Sequence, residues 1–148
     1  TLMKKLQNIK LNNAARSGSL ACLKYAYEII KATDDYNNRT LSNAAASGNI
    51  SCLKYAHKII KAIDNNLTLC FAAFSGNISC LKYAFSIIKT TDVNNWTLCN
   101  AARSGSLACL KYAHEVIKAI DNNLILSYAA RGGSLECLKY VFKVIKKS

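Results

Sequence analysis

The sequence predicts an all-α fold, a solenoid of stacked helix–turn–helix repeats. Five glycines recur at spacings of 28–30 residues, namely Gly18, Gly48, Gly76, Gly105 and Gly133. Each of these glycines is followed four residues later by cysteine and seven residues later by tyrosine. The apolar residues of each interval recur with the period of an α-helix. A unit this short can bury its apolar face only against neighbouring copies, which predicts the stack.

The first helix of each repeat is expected to be short, from Leu41 to Ser47 in the second repeat. Thr40, Thr68 and Thr97 stand where an N-cap residue belongs. The repeated glycine follows this helix. Glycine commonly ends a helix, because it adopts the left-handed backbone conformation without strain.

The second helix is expected to begin after the serine or asparagine that directly follows the glycine, since both are good N-caps. In the second repeat it is predicted to run from Ile50 to Ile63. Its apolar residues lie two, four, five, eight, eleven and twelve positions after the glycine, and its polar residues form an opposite stripe. The repeats differ in length only where residues 34–37 correspond to residues 64–65, and an insertion confined to one point marks a surface loop.

These units divide the chain into a single repeat array over residues 1–148. Residues 1–8 are expected to be the tail of a preceding repeat. Five repeats follow, over residues 9–38, 39–66, 67–95, 96–123 and 124–148. Because the chain begins inside a repeat and without methionine, we expect it to be part of a longer array or to start with a truncated cap.

The segment from Thr68 to Ala84 carries a resemblance to a known repeat family. It reads T-L-C-F-A-A-F-S-G-N-I-S-C-L-K-Y-A. This segment resembles the ankyrin repeat, whose pattern is roughly T-P-L-H-x-A-A-x-x-G-H-x-x-V-V-x-x-L-L. The wording L-x-C-L-K-Y-A is similar to the divergent ankyrin repeats that are abundant in giant DNA viruses of protists. The resemblance recurs five times and covers nearly the whole chain.

The repeats depart from the ankyrin pattern in three ways. The proline at the start of the first helix is absent, and Ile-Lys-Ala-Ile-Asp stands where the family has Gly-Ala-Asp after the second helix. The period is also shorter than the usual ~33 residues. The resemblance therefore implies an ankyrin-like solenoid without the projecting β-hairpin fingers, which often carry partner contacts in the family.

The sequence contains no arrangement typical of an active site. It has no Ser/His/Asp set, phosphate-binding loop, metal-ligand spacing or converging pair of carboxylates. His57 and His114 share a repeat position with Tyr27, Phe85 and Phe142, which indicates packing or partial exposure. We therefore expect no enzymatic activity, no cofactor, no metal and no small-molecule substrate.

The seven cysteines are interpreted as packing residues. Five of them occupy one repeat position, namely Cys22, Cys52, Cys80, Cys109 and Cys137. Stacked helices lie ~8–10 Å apart, which is too far for a disulfide. Cys70 and Cys99, in adjacent first helices, are the only pair to test for bonding. We expect a reducing intracellular compartment or a virus particle and not secretion, and no apolar run is long enough to span a membrane.

Ten lysines carry most of the net charge of +12. They form two columns on the predicted second helices, Lys24, Lys54, Lys82, Lys111 and Lys139 in one and Lys31, Lys61, Lys89, Lys118 and Lys146 in the other. A separation of seven residues places both columns on one helix face. Neighbouring repulsion in water is only ~0.4 kcal/mol. Two interpretations stay open: a solvated outer face, or a surface that attracts phosphates without reading sequence.

Positions that vary between repeats are candidates for recognition, because positions that build the stack must repeat. In the first helices these positions lie nine, five and two residues before the glycine, on one helix face turned away from the core. They hold Ile9, Asn13 and Arg16; Arg39, Asn43 and Ala46; Leu67, Phe71 and Phe74; Trp96, Asn100 and Arg103; and Leu124, Tyr128 and Arg131.

We predict a partner-binding surface on this face, because aromatic and arginine side chains usually anchor protein interfaces. Its predicted members are Phe71, Phe74, Trp96, Tyr128, Arg39, Arg103 and Arg131. The alternative is that some of the variable residues, especially Trp96 and Leu67, only pack across repeats.

The leading hypothesis for function is a non-enzymatic protein-interaction or structural scaffold. Its partner would be another protein or further copies of the chain, joined end to end by repeat stacking. Val141, Phe142 and Val144 near the C-terminus support stacking, because both visible ends have the composition of interior repeats. The alternative is electrostatic binding of nucleic acid through the lysine columns. No membrane partner is expected.

Overall fold

The structure is a computed structural model that describes residues 9–88 and 96–147, and these residues form ten α-helices. The helices are α1 Leu11–Arg16, α2 Leu20–Glu28, α3 Thr40–Ala46, α4 Ile50–Tyr55, α5 Thr68–Ser75, α6 Ile78–Ile87, α7 Thr97–Arg103, α8 Leu107–Tyr112, α9 Ile125–Arg131 and α10 Leu135–Tyr140. A π-helical turn continues α4, α8 and α10, over Ala56–Ile60, Ala113–Ile117 and Val141–Ile145 respectively. The described ranges contain no β-strand, and their only bridge joins Lys10 to Thr33. The predicted all-α class is thereby confirmed.

The helices pack as pairs in chain order. Each odd-numbered helix, called a first helix below, contacts the even-numbered second helix that follows it. First helices contact the neighbouring first helices, and second helices contact the neighbouring second helices. In the three middle repeats the alanine pair of the first helix and one leucine of the second helix lie in the core between them, for example Ala44, Ala45 and Leu53. None of the described helices is both long enough and apolar enough to cross a lipid bilayer.

The ends of the first helices follow the prediction. The five repeated glycines all have positive φ, between 72° and 77°. The serine or asparagine after each glycine caps the second helix, as where the Ser106 side chain accepts a hydrogen bond from Cys109 N at 3.2 Å. Asn77 does the same for Cys80 N at 3.0 Å. These caps recur at every described second helix, so the local chemistry of the turn is the same in all repeats.

The N-cap prediction for Thr40, Thr68 and Thr97 is wrong. Each threonine is the first residue of its helix and is buried. A carboxylate from the preceding loop caps two of these helices instead. Asp34 Oδ1 accepts from Thr40 N at 3.1 Å and from its hydroxyl at 2.6 Å, and Asp64 Oδ1 accepts from Thr68 N at 3.4 Å. The aspartate thus accepts from a backbone amide that the helix itself leaves without an acceptor.

The second helices are shorter than predicted. The helical backbone that begins at Ile50 ends at Ile60 and not at Ile63, because Lys61 adopts a left-handed conformation with φ 57°. Ala62 N then donates to Ala56 O at 2.9 Å, a bond that closes the helix end around the left-handed residue. The same closure occurs at Lys31 and Lys118. The alanine after each of these lysines then packs against the core.

No disulfide joins the seven cysteines, all of which lie in the described ranges, and six of the seven are buried. Burial, together with the neighbouring Cys109 and Cys52, raises the pKa of Cys80 from 9.0 to about 11. The packing interpretation is confirmed for these six, whereas Cys22 is exposed. Cys70 and Cys99 do not pair: Cys70 Sγ donates to Leu67 O at 3.3 Å, and Cys99 Sγ donates to Asn122 Oδ1 at 2.9 Å.

Candidate interaction site on the first helices

The variable positions of four successive first helices enclose a cavity of about 200 Å³. It is lined by Arg16, Ala46, Phe71, Phe74, Asn100 and Arg103. The lining residues belong to α1, α3, α5 and α7, so no single repeat forms the cavity. Every lining residue occupies one of the two variable positions nearest the glycine. This spacing places them on one side of their helices.

The aromatic wall of the cavity also carries a cation. The guanidinium carbon of Arg103 lies 5.4 Å from the ring centroid of Phe74. Phe74 is 37% exposed, whereas Phe71 is half-buried. An arginine stacked on a phenyl ring keeps its in-plane N–H donors free for a further partner.

Arg16 lies at the opposite rim, held by a chain of hydrogen bonds. One terminal nitrogen of Arg16 donates to Asn43 Oδ1 at 3.3 Å. The Asn43 amide in turn donates to Asn12 O at 3.3 Å, and Asn43 is buried. Arg16, Ala46 and Asn100 were not among the predicted binding residues. The sequence could have identified these three residues, because they occupy the same variable repeat positions as the predicted binding residues.

The other predicted residues form a second, neighbouring cluster. The rings of Trp96 and Tyr128 meet edge to face with centroids 5.6 Å apart, and the Arg131 guanidinium lies 5.5 Å from the Tyr128 centroid. Trp96 and Tyr128 are half-buried and pack against the core. Trp96 thus makes a contact across the boundary between the fourth and fifth repeats, as the alternative interpretation expects. Trp96, Tyr128 and Arg131 do not line the cavity.

Arg39 does not line the cavity. Its Nε donates to Asp35 Oδ2 at 2.5 Å, and its backbone N donates to Asp35 Oδ1 at 2.9 Å. Burial would raise the pKa of Asp35, but the hydrogen bonds and charge of Arg39 outweigh burial and lower it. The insertion at residues 34–37 is therefore only partly a surface loop, because Asp35 is buried while Tyr36 is 92% exposed.

The first lysine column lies over tyrosine rings of the next repeat. Nζ lies 5.7–5.9 Å from the ring centroid in the pairs Lys24–Tyr55, Lys54–Tyr83, Lys82–Tyr112 and Lys111–Tyr140. These lysines are exposed, so they remain a row of positive charge. Lys139 occupies the same position in the last repeat.

Three lysines of the second column do not lie on the helix face, and for these three the prediction is wrong. Lys31, Lys61 and Lys118 adopt the left-handed conformation that ends their helices. Lys146 Nζ contacts Asp121 Oδ2 at 2.8 Å, as an ion pair. Lys89 lies outside the described residues.

Four of the five repeated tyrosines pack between adjacent second helices. An aromatic or histidine ring of the preceding repeat meets each of these four edge to face, in the pairs Tyr27–Tyr55, His57–Tyr83, Phe85–Tyr112 and His114–Tyr140. Three of the four hydroxyls contact a polar side chain. Tyr55 donates to Glu28 Oε1 at 2.6 Å and Tyr140 to Glu115 Oε1 at 3.0 Å, while His57 Nδ1 lies 2.8 Å from Tyr83 Oη.

The last helix pair carries an exposed apolar cavity of about 330 Å³. It is lined by Leu126, Leu135, Leu138, Lys139, Phe142 and Lys143. Phe142 and Val144 are exposed, as their proposed role in stacking requires. Val141, in contrast, is fully buried and belongs to the core.

Within residues 9–88 and 96–147, no three His, Cys, Asp or Glu side chains group as metal ligands. No protein-family model matches the chain, and no curated protein matches it either. The geometry of the side chains is therefore the basis for an assignment of function.

Proposed function

We propose that the chain is a fingerless ankyrin-like solenoid that serves as a non-enzymatic protein-interaction scaffold. The partner binds the face of the first helices, at the cavity formed by Phe71, Phe74, Arg16 and Arg103. The single observation that carries the proposal is that four successive repeats place their variable residues around one cavity. The residues that make the stack, in contrast, are nearly the same in every repeat.

The repetition of one junction supports the solenoid. The capped helix start, the left-handed glycine and the lysine–tyrosine contact recur between successive helix pairs. Identical junctions produce a regular array in which each repeat contacts only its neighbours. Such an array presents its first helices side by side as an extended surface.

The chemistry of the cavity supports a protein partner. Interface hot spots are enriched in aromatic and arginine side chains that lie at a pocket and are shielded from water. Phe71 and Phe74 supply apolar area, and Arg16 and Arg103 supply directional donors. Neither arginine forms an ion pair within the described part of the chain, where the ion pairs are Arg39–Asp35 and Lys146–Asp121.

A selection from a displayed random-peptide library tests the proposal. Peptides that bind the wild-type protein are screened against a Phe71→Ala/Phe74→Ala double variant. Tyr36→Ala is the matched control, because Tyr36 is an exposed aromatic residue outside the cavity. The proposal predicts binders that lose affinity for the double variant and keep it for the control. Binders that are indifferent to both substitutions would overturn it.

The scaffold proposal includes end-to-end association of copies. At the four described junctions, a lysine and a ring of one repeat contact the tyrosine of the next. Lys139 and Phe142 occupy the positions of that lysine and ring, and Tyr25 occupies the position of the tyrosine. Tyr25 is 58% exposed and Phe142 is 54% exposed. A second copy would cover these side chains with the same contacts that join the interior repeats.

Electrostatic binding of polyanions is the second candidate function, because the first-column lysines form an exposed row on successive second helices. Binding of random DNA and RNA at low salt tests it, since several phosphate contacts give strong binding there and a steep salt dependence. Replacing Lys24, Lys54 and Lys82 together by glutamine should weaken that binding. No binding at ~50 mM salt excludes this candidate.

A further inference from the structure

The charged residues that line the cavity on the first helices are all basic. Its polar lining consists of Arg16, Arg103 and Asn100, and its apolar lining consists of Phe71, Phe74 and Ala46. None of the lining residues is acidic, although the chain contains 8 acidic residues. Two guanidinium groups therefore border the same small volume without a carboxylate between them.

Both guanidiniums are held in place before any partner arrives. Arg103 lies against the Phe74 ring, and Arg16 is hydrogen-bonded to Asn43, which is itself bonded to the backbone of α1. A guanidinium carries five N–H donors. The single Asn43 contact leaves most donors of Arg16 unused, and ring stacking leaves the edge of Arg103 open. A pre-organised arginine loses less entropy when it binds a carboxylate.

The size of the cavity limits what can enter it. Pockets for small ligands usually measure about 300–1,000 Å³, and this cavity measures about 200 Å³. The volume therefore suits one or two side chains of a protein segment. An apolar side chain would contact Phe71 and Phe74, while a neighbouring carboxylate would reach the arginines.

We propose that the cavity binds an acidic protein segment in which aspartate or glutamate adjoins an aromatic or aliphatic residue. The carboxylate accepts hydrogen bonds from Arg16 and Arg103, and the adjoining side chain packs on Phe71 and Phe74. This inference rests on the proposed function and specifies the partner's chemistry. A protein segment fits better than nucleic acid, because phosphate-binding surfaces need no apolar floor and the lysine row lies on the second helices.

Short fluorescein-labelled peptides test the inference by fluorescence anisotropy. Each peptide carries a central aspartate or glutamate followed by phenylalanine, tryptophan, leucine or isoleucine, with glycine and serine flanks. The paired peptides carry asparagine or glutamine at the acidic position, so the two sets differ only in charge. We expect the best acidic peptide to bind roughly tenfold more tightly than its amide pair, as for a hydrogen bond to a charged group.

Three variants test whether Arg16 and Arg103 bind the carboxylate of the peptide. Arg16→Gln and Arg103→Gln should each reduce the preference for the acidic peptide, and together they should abolish it. Arg131→Gln is the matched control, because it removes the same charge from a residue that does not line the cavity. An unchanged preference in the double variant, or a preference lost equally in Arg131→Gln, overturns the inference.

The remaining outcomes separate this inference from the proposed function. Peptides that lose affinity for the Phe71→Ala/Phe74→Ala variant but ignore the acid-to-amide change leave the proposed function intact and refute the acidic segment. Peptides that bind equally well to that variant refute the proposed function itself. Displacement of the bound peptide by oligothymidylate at equal concentration, or no binding of any peptide at millimolar concentration, overturns the inference.

Discussion

Lys82 Nζ lies 5.7 Å from the ring centroid of Tyr112, across the junction between the third and fourth repeats. The Phe85 ring meets the same tyrosine edge to face, with centroids 6.2 Å apart. Tyr112 is thus enclosed by a cation and a ring of the preceding repeat. Since this arrangement recurs at the four described junctions, the first-column lysines contribute to the stack as well as to the surface charge.

Replacing Lys82 by alanine should lower the free energy of unfolding by about 0.5–1 kcal/mol, the usual magnitude of an exposed cation–π contact. Lys58→Ala is the matched control, because Lys58 is exposed on the π-helical turn after α4 and lies over no aromatic ring of the described residues. Urea unfolding measures both variants. Equal losses in the two variants would show that the ring contact adds nothing beyond the lysine itself.

Replacing Gly132 by serine should destabilise the protein by about 1–3 kcal/mol, as overpacking does. The other repeats all have serine at this position, so the repeat pattern alone would predict a stabilising change. A Cβ at Gly132, however, would lie 2.7 Å from Ala102 O and 2.8 Å from Arg103 O. The thermal midpoint measures the effect, with Ser104→Gly as the reverse substitution in the preceding repeat. A higher midpoint for Gly132→Ser would contradict the observed packing.

The alkaline stability of the protein should depend on Tyr140. Burial, followed by the hydrogen bond and charge of Glu115, raises the pKa of Tyr140 from 10.0 to about 12. The folded state thus favours the protonated phenol. The stability that this group contributes is complete below about pH 10 and is lost as the pH rises to about 12.

Glu115→Gln should therefore lower the pKa of Tyr140, because it removes the neighbouring negative charge. A spectrophotometric tyrosine titration of the wild type and the variant measures the change. Glu136→Gln controls for net charge, because Glu136 is an exposed acid one helical turn before Tyr140 that does not contribute to the shift. A titration curve that moves equally in both variants would assign the shift to general charge and not to this contact.

Association of copies should depend on the two end surfaces. We expect light scattering to detect species larger than one chain, in a concentration-dependent manner. Tyr25→Ser and Phe142→Ser should each weaken this association, because each removes one side of the proposed junction. Tyr36→Ser, an exposed aromatic residue away from both surfaces, should leave it unchanged. A wild-type protein that stays strictly monomeric at high concentration would exclude self-assembly.

The sequence predicts the repeated features of the fold well, because five copies of a local signal reinforce one another. The glycine that ends the first helix and the cap that starts the second depend on residues within a few positions of each other. The packing of Tyr55 on Tyr27 also follows from the repeat, since the same two positions meet at every junction.

Features that depend on distant contacts could not be read from the same pattern. The second helix of the second repeat is predicted to run to Ile63, yet its helical backbone ends at Ile60, because Lys61 is left-handed and Ala62 N bonds to Ala56 O. Arg39 belongs to the variable set, yet it pairs with Asp35 of the inserted loop. The helical period of the sequence predicts the face on which a residue lies. The partner that its side chain contacts depends on the geometry of the neighbouring loops.

The cavity between Phe71, Phe74, Arg16 and Arg103 is the proposed partner-binding site. The most direct test is a comparison of amide NMR spectra of the isotope-labelled protein with and without a selected peptide. Binding at the cavity should shift mainly the resonances of the residues around it in α1, α3, α5 and α7. Shifts confined to the lysine row of the second helices, or to the last helix pair, would contradict binding at the cavity.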